Sequence, residues 1–249
     1  MPDRALAALR DMPLATAAAL LLAQNVVVFA LALLFGALVV RVYPGRRAAG
    51  RPDALSGVEV AVAASAVVLN TVVTFAGLLL WRAGVVRFRD DVGVGVVLDV
   101  VVLLLGMDLA MYVLHRVAHH PWLFPLLHRL HHRFERPRPL TLFVLNPIEA
   151  LSFGGLWLVA ITVYSASWLG MSVYLVLNVA FGVLGHVGVE PFPRGWVKWP
   201  ALRHVGTSTF HAQHHAAPTH NYGFYTLLWD RLFGTLHPDY VARFESGQP

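Results

Sequence analysis

Apolar positions along this chain fall in long unbroken runs, without the period-two alternation or narrow helical stripe of elements that keep one face in water, and the runs have the length of membrane crossings. From Leu14 to Val40 the only strongly polar residues are Gln24 and Asn25, which predicts a first spanning helix. The run continues into RVYPGRR with no small-residue cleavage site, so it reads as a retained helix and not as a removed signal sequence. Val60 to Trp81 and Val92 to Leu114 predict two further spans separated by RAGVVRFRDD. The third span carries Asp99 and Asp108 inside its apolar pattern, where an ionisable group is expensive and marks function.

A fourth apolar run, Ala150 to Gly185, would be about 54 Å long as a single helix, much more than one crossing of about 30 Å requires. The stretch YSASWLG, Tyr164 to Gly170, supplies a small, polar turn and predicts a helical hairpin whose arms enter and leave by the same face. The expected fold is an all-α integral membrane protein of about four to five transmembrane helices, the hairpin included. It is one membrane-embedded domain over residues 1–249: N-terminal spans in 1–91, a catalytic region in 92–249 and the hairpin in 150–185.

Composition agrees with a bilayer as solvent: 57% hydrophobic residues and only 13% charged. Zero cysteines exclude disulfides, cysteine-ligated iron-sulfur clusters and thiolate-bound haem. Eighteen of the 19 basic residues are Arg, scattered through loops without an aromatic platform, so no nucleic-acid partner is expected. Ten basic residues follow Leu114 and four Arg lie from Arg41 to Arg51, which places these segments on the cytoplasmic side by the positive-inside rule.

The chemistry lies in the histidines. HRLHH, His128 to His132, is repeated as HAQHH, His211 to His215. At about 5% histidine, one H-x-x-H-H is expected in roughly 0.03 of chains of this length, so two demand a chemical reason. His115 and His119, four apart at the end of the third apolar run, project from one helical face, and Asp108 and Tyr112 extend that stripe. On a helix H-x-x-H-H sets its first residue beside the fourth and fifth, so three imidazoles converge. Eight histidines in three clusters are about what two metal ions require, and His186 in GHVGVE, at the end of the hairpin, is a ninth candidate. His120, His204 and His237 read as surface or supporting residues, and His220 is undecided.

DLAMYVLHRVAHHPWLFPLLHRLHH, GHVGVE and TSTFHAQHHAAPTHNYGFYTLLWDRLFGT resemble, in order and spacing, the fatty acid hydroxylase and sterol desaturase superfamily of integral-membrane oxygenases. The resemblance covers Asp108 to about Tyr240, and the closing NYG, WDR and FGT elements look most like sterol desaturase-like members. It implies a non-haem di-iron centre in a histidine-rich helical cap, with His115, His119, His128, His131, His132, His186, His211, His214 and His215 as ligands. Some relatives carry a further His where this chain has Gly182, so His220 or a water held by Asn178 would complete the shell. Asp108, Glu149, Glu190 and Asp230 are expected to orient imidazole N–H groups, Asp230 alternatively pairing with Arg231.

The implied activity is O2-dependent hydroxylation or desaturation of a membrane lipid, a sterol, fatty acyl or related chain. Electrons would come from a separate carrier or reductase, because no flavin, haem or nicotinamide fingerprint is present. Iron is the expected metal, with zinc able to occupy the same imidazoles in purified protein. The resemblance places the chain in a bacterial inner membrane or the endoplasmic reticulum, the site facing the cytoplasm, and Trp122, Trp196, Trp199 and Trp229 would seat the cap at the headgroups. The competing class is a zinc-type membrane transporter, which would be expected to carry its ligands at midplane on broken helices.

Overall fold

The computed structural model describes residues 2–247, and among them there are helices and no strands. A short helix α1 (Pro2–Asp11) precedes α2 (Leu14–Val42), α3 (Gly57–Arg82) and α4 (Val94–Ala118). Two single turns, α5 (Phe124–Leu127) and α6 (Arg129–His132), lead through a 3-10 segment at Pro139–Phe143 to the hairpin α7 (Pro147–Val163) and α8 (Trp168–His186). The chain closes with α9 (Ser208–Ala216), α10 (Leu228–Leu232) and α11 (Tyr240–Ser246).

Four of these helices, α2, α3, α4 and α8, are long and apolar enough to cross a membrane, with mean hydropathies from 1.7 to 2.4, whereas α7 is shorter at 17 residues. Five helices pack in a ring in the order α2, α3, α7, α4, α8 and back to α2. Three of the five open on side-chain caps. Ser56 accepts from the Glu59 N–H at 3.1 Å to open α3, Asn146 and Glu149 form a capping box ahead of Pro147 in α7, and Ser167 accepts from Gly170 N–H at 3.0 Å to open α8. The apolar side chains are distributed inside out. Leu34, Val97 and Val176 are 66%, 61% and 69% exposed, and the outer face of α2 is almost wholly uncovered, an apolar surface that only lipid can cover. The chain is an integral membrane protein.

Inside the ring, Leu103, Met107 and Met111 of α4 pack on Ile161 of α7 and on Met171 and Tyr174 of α8. Gly36 lets α2 approach the 3-10 segment, since a Cβ there would lie 2.5 Å from Pro139 Cβ. Because α7 and α8 together make an even number of passes, the segments before Pro147 and after His186 emerge at the same end of the bundle, where all three histidine motifs lie.

Asp99, expected to mark function, lies near the opposite end. It is fully buried, pairs with Arg89 at 2.8 Å and accepts from Tyr164 hydroxyl at 2.7 Å and Ser167 N–H at 2.8 Å. Sixteen residues of α4, about 24 Å, separate it from His115. The acid therefore staples the hairpin turn to the loop after α3. Arg89→Met, by leaving a buried carboxylate short of its charged donor, is expected to lower the melting temperature in detergent without changing metal content.

Candidate metal centre

Nine imidazoles meet at the histidine end of the ring, divided into two groups. His115, His119, His128, His132 and His214 form the first, and His131, His186, His211 and His215 the second. Within each, one nitrogen per ring lies within 4.8 Å of all the others. The division explains why H-x-x-H-H is written twice. Successive helical residues turn by about 100°, so the first and fifth positions share a face while the fourth points away from the fifth. His128 and His132 accordingly serve the first group and His131 the second, whereas His211 and His215 serve the second and His214 the first. Each motif gives a pair to one group and a single ring to the other. The expected convergence of all three imidazoles of one motif is thus replaced by an exchange between motifs. The groups abut, with His132 and His215 stacked at 4.7 Å between ring centroids.

Five rings have their Nδ1 committed. His115 donates to the Tyr222 carbonyl at 2.9 Å, His131 to Val144 at 3.2 Å, His186 to Gly182 at 2.7 Å and His214 to His220 at 2.7 Å. His128 Nδ1 meets Glu149 Oε1 at 2.5 Å. An imidazole that donates from Nδ1 and is neutral presents a bare lone pair at Nε2. Yet His115 and His128 bring Nε2 to Nε2 at 3.0 Å, and His186 and His131 at 3.3 Å. Acceptor faces acceptor, which is repulsive without a cation between them. At metal–nitrogen bonds of about 2.0–2.1 Å, ligand atoms on one ion lie about 3 Å apart or slightly more, so the spacing fits. His119 Nε2 is buried with no hydrogen-bond partner, as a ligand atom without its metal would be.

Electrostatics agree. Burial, reinforced by neighbouring imidazoles, pushes His119 down to about 2 and His132 to about 3, and holds His128, His131, His211, His214 and His215 well below the usual imidazole range. All are neutral at physiological pH, the form that binds metal. The donor set is entirely imidazole, which suits iron, zinc or copper and disfavours magnesium and calcium.

Of the four acids expected to orient imidazoles, Glu149 is placed to do so. It closes the capping box that starts α7. The others hold backbone that carries ligands. Asp230 accepts from Tyr222 N–H at 2.8 Å, Gly223 N–H at 2.7 Å and Thr235 hydroxyl at 2.7 Å, fixing the loop whose Tyr222 carbonyl anchors His115. Asp108 accepts from Tyr225 N–H at 2.7 Å and Thr226 hydroxyl at 2.5 Å, tying the same loop to α4. Glu190 takes Thr209 N–H at 2.9 Å and its hydroxyl at 2.7 Å, holding the first turn of α9. Asn178 accepts from Tyr225 hydroxyl at 2.6 Å and is committed there. His220 contributes its carbonyl to His214 while its ring meets Thr219, and His120, His204 and His237 lie outside both groups. The carbonyls of Val144, Gly182, His220 and Tyr222 were not foreseeable, since every residue carries one. Trp122 and Trp199 are 84% and 64% exposed, whereas Trp196 stacks on Phe192.

Gly223 sits where a Cβ would lie 2.7 Å from Asp230 Oδ2. Gly223→Ala is expected to displace the Tyr222 carbonyl and lower occupancy of the first group by about tenfold or more, the scale of a lost supporting contact, while the second group keeps its metal. Metal analysis of the purified variant reads this directly.

Residues 100–235 match the family described as fatty acid hydroxylase. Similar proteins include a very-long-chain aldehyde decarbonylase of Oryza sativa subsp. indica, 33% identical over 132 residues that make up 50% of this chain and 21% of the relative. A Delta(7)-sterol 5(6)-desaturase of Leptosphaeria maculans is 28% identical over 51% of this chain and 34% of its own length. A lathosterol oxidase of Rattus norvegicus is 26% identical over 67% of this chain and 55% of its own length. The matched segments thus span from about a fifth to just over half of these relatives. No solved structure matches. Since the family match covers more than half of the chain and includes all nine grouped histidines, the protein belongs to the fatty acid hydroxylase family.

Proposed function

We propose that this chain is an O2-dependent lipid hydroxylase or desaturase, with the nine histidines holding two iron ions and electrons arriving from a separate carrier. The observation that carries the reading is the pair of imidazole groups whose Nε2 lone pairs face each other at 3.0 and 3.3 Å in a lipid-embedded helix ring. When bound, iron would supply the oxidant that no side chain can provide. The chain's own part is positional. Glu149 and the four carbonyls keep the protons on Nδ1, the rigid ends of α4, α8 and α9 fix the ligand directions, and the burial of eight of the nine rings excludes bulk water.

The substrate class follows from the surroundings: the site lies at one end of a ring whose outer surface is apolar, so a lipid reaches it from the bilayer. Hydroxylation breaks a C–H bond and forms a C–O bond, using one O2, two electrons and two protons and releasing one water; desaturation removes two hydrogens and releases two waters. With no cysteine in the chain, both electrons come from outside. Arg10, Arg82, Arg87 and Arg89 lie at the end away from the histidines, while most of the basic residues lie on the histidine side, which supports a cytoplasmic site. The zinc-type transporter reading has less behind it, because the ligands lie at helix ends and not at midplane. Iron-loaded protein in lipid, given O2 and a reducing system, is expected to yield lipids heavier by one oxygen or lighter by two hydrogens by mass spectrometry. An unchanged lipid profile with iron bound and electrons delivered would contradict the proposal.

A further inference from the structure

Two tyrosines that are not among the proposed ligands lie one behind the other beside the first histidine group. Tyr222, of the NYG stretch, sets its ring centroid 5.3 Å from that of His119, 5.6 Å from His214 and 5.7 Å from His115, and its carbonyl accepts from His115 Nδ1. Tyr112, on α4, is 1% exposed and stands edge-on to Tyr222 at 6.2 Å. The two phenols differ in what they can do with a proton. Tyr222 is held through its backbone, whereas the Tyr112 hydroxyl meets Thr235 Oγ1 at 3.0 Å. Thr235 has one hydroxyl proton and gives it to Asp230 Oδ1 at 2.7 Å, so Tyr112 is the donor to Thr235. Arg116 donates to the same phenol oxygen at 3.3 Å, which agrees with that direction. Asp230 is fully buried and accepts from two backbone N–H groups besides, the pattern of an ionised carboxylate. A hydroxyl wire thus leads from a buried phenol to a carboxylate, while stacked-up aromatic rings lead from the same phenol to three candidate metal ligands.

We propose that Tyr222 and Tyr112 form a one-electron outlet for the first group, with Tyr112 holding the radical when O2 has oxidised the iron and no lipid is in reach. Tyr222 yields one electron to the oxidised first group and is refilled from Tyr112. The Tyr112 O–H bond breaks as its proton goes to Thr235 Oγ1, whose own proton goes to Asp230. Tyr112 is oxidised by one electron to a neutral phenoxyl radical, the metal centre is reduced by one electron, and Asp230 becomes a neutral acid. The proton path selects Tyr112, because a phenol oxidised in an apolar interior without losing its proton would leave a buried, unpaired charge. The external carrier that the oxygenase reading requires returns the electron, and the proton retraces the wire. This inference rests on that reading for O2 as the source of the oxidant, but hydrogen peroxide can supply the oxidant independently.

Iron-loaded protein in detergent, without added lipid, is mixed with O2 in its reduced form or with hydrogen peroxide in its oxidised form, frozen at intervals and read by electron paramagnetic resonance. A radical signal whose hyperfine pattern narrows with ring-deuterated tyrosine is expected in both arms, and zinc-loaded protein should give none. Tyr112→Phe abolishes the signal and Tyr222→Phe slows its rise. Thr235→Val keeps the shape but removes the proton acceptor, and slows the rise by about a hundredfold or more, the scale of a lost proton-transfer partner. Tyr43→Phe, an exposed change, leaves it intact. Metal content stays at the wild-type level in all four variants. A tyrosine signal that persists in Tyr112→Phe would overturn the proposal, as would its absence from iron-loaded wild type under peroxide. If lipid is oxidised under O2 with no such signal in either arm, the outlet fails while the oxygenase reading stands. If a Tyr112-dependent signal rises under peroxide and no lipid is oxidised under O2 and reductant, the reverse holds.

Discussion

A chain carrying His131→Ala and His214→Ala together is expected to lose both metals, and each substitution alone is expected to lose one. His214 belongs to the first group and His131 to the second, so the single variants should each retain about half of the wild-type metal. Turnover should fall by about a thousandfold or more in all three, the scale on which an acting group and not its support is lost. A stability measurement separates this from misfolding. In the metal-free protein, Nε2 of His115 and His128 oppose each other at 3.0 Å, and those of His131 and His186 at 3.3 Å. Removing one imidazole relieves part of that repulsion. The double variant should therefore melt no lower than the chelator-treated wild type, and chelator should lower the melting temperature of the wild type and of the single variants but not of the double variant. Equal metal loss from both groups in a single variant would mean that they bind as one inseparable unit.

The second large effect is expected at Glu149. Its carboxylate receives the His128 Nδ1 proton at 2.5 Å and is almost fully buried, so no water can replace it. Glu149→Gln keeps the size and an acceptor oxygen but removes the charge that raises the basicity of His128. Loss of a charged partner behind a metal-bound imidazole costs about 10–100-fold in metal affinity or activity. The effect should fall on the first group alone and should be overcome by excess iron. Glu149→Ala would be worse, because it also deletes the capping box that starts α7. Titrating iron into apo protein under anaerobic conditions, with two-step binding resolved, would reveal a shift confined to one step.

Much of this architecture was legible in the sequence. Leu14 to Val40 against the observed Leu14–Val42, and the hairpin turn within Tyr164 to Gly170, follow from apolar run length and small polar residues, because the bilayer imposes a length and backbone satisfaction imposes helices. The even number of passes read from the hairpin requires the three histidine motifs to share one end, and they do. What could not be read is which imidazole goes to which group. That depends on the turn between the fourth and fifth positions of H-x-x-H-H, and on the helix interruption at His128 that ends α5 and lets α6 start afresh. The acids divided for a similar reason. Asp108, Asp230 and Glu190 have the composition of imidazole partners, but their donors are backbone N–H and threonine hydroxyl groups of the segments that carry or brace the ligands. Spacing along the chain does not encode those tertiary contacts, whereas Glu149 sits at a helix start facing α6. Asp99 misled for the opposite reason: a buried acid in a span can be a staple when an Arg ten residues away folds back on it.

The central claim is that nine imidazoles in two groups hold two metal ions. The most direct measurement is metal content per chain in wild-type protein expressed with added iron and purified anaerobically, determined by inductively coupled plasma mass spectrometry against amino-acid analysis. Two irons per chain are predicted. No bound metal, or a single readily exchanged ion that is indifferent to His131→Ala and His214→Ala, would contradict it.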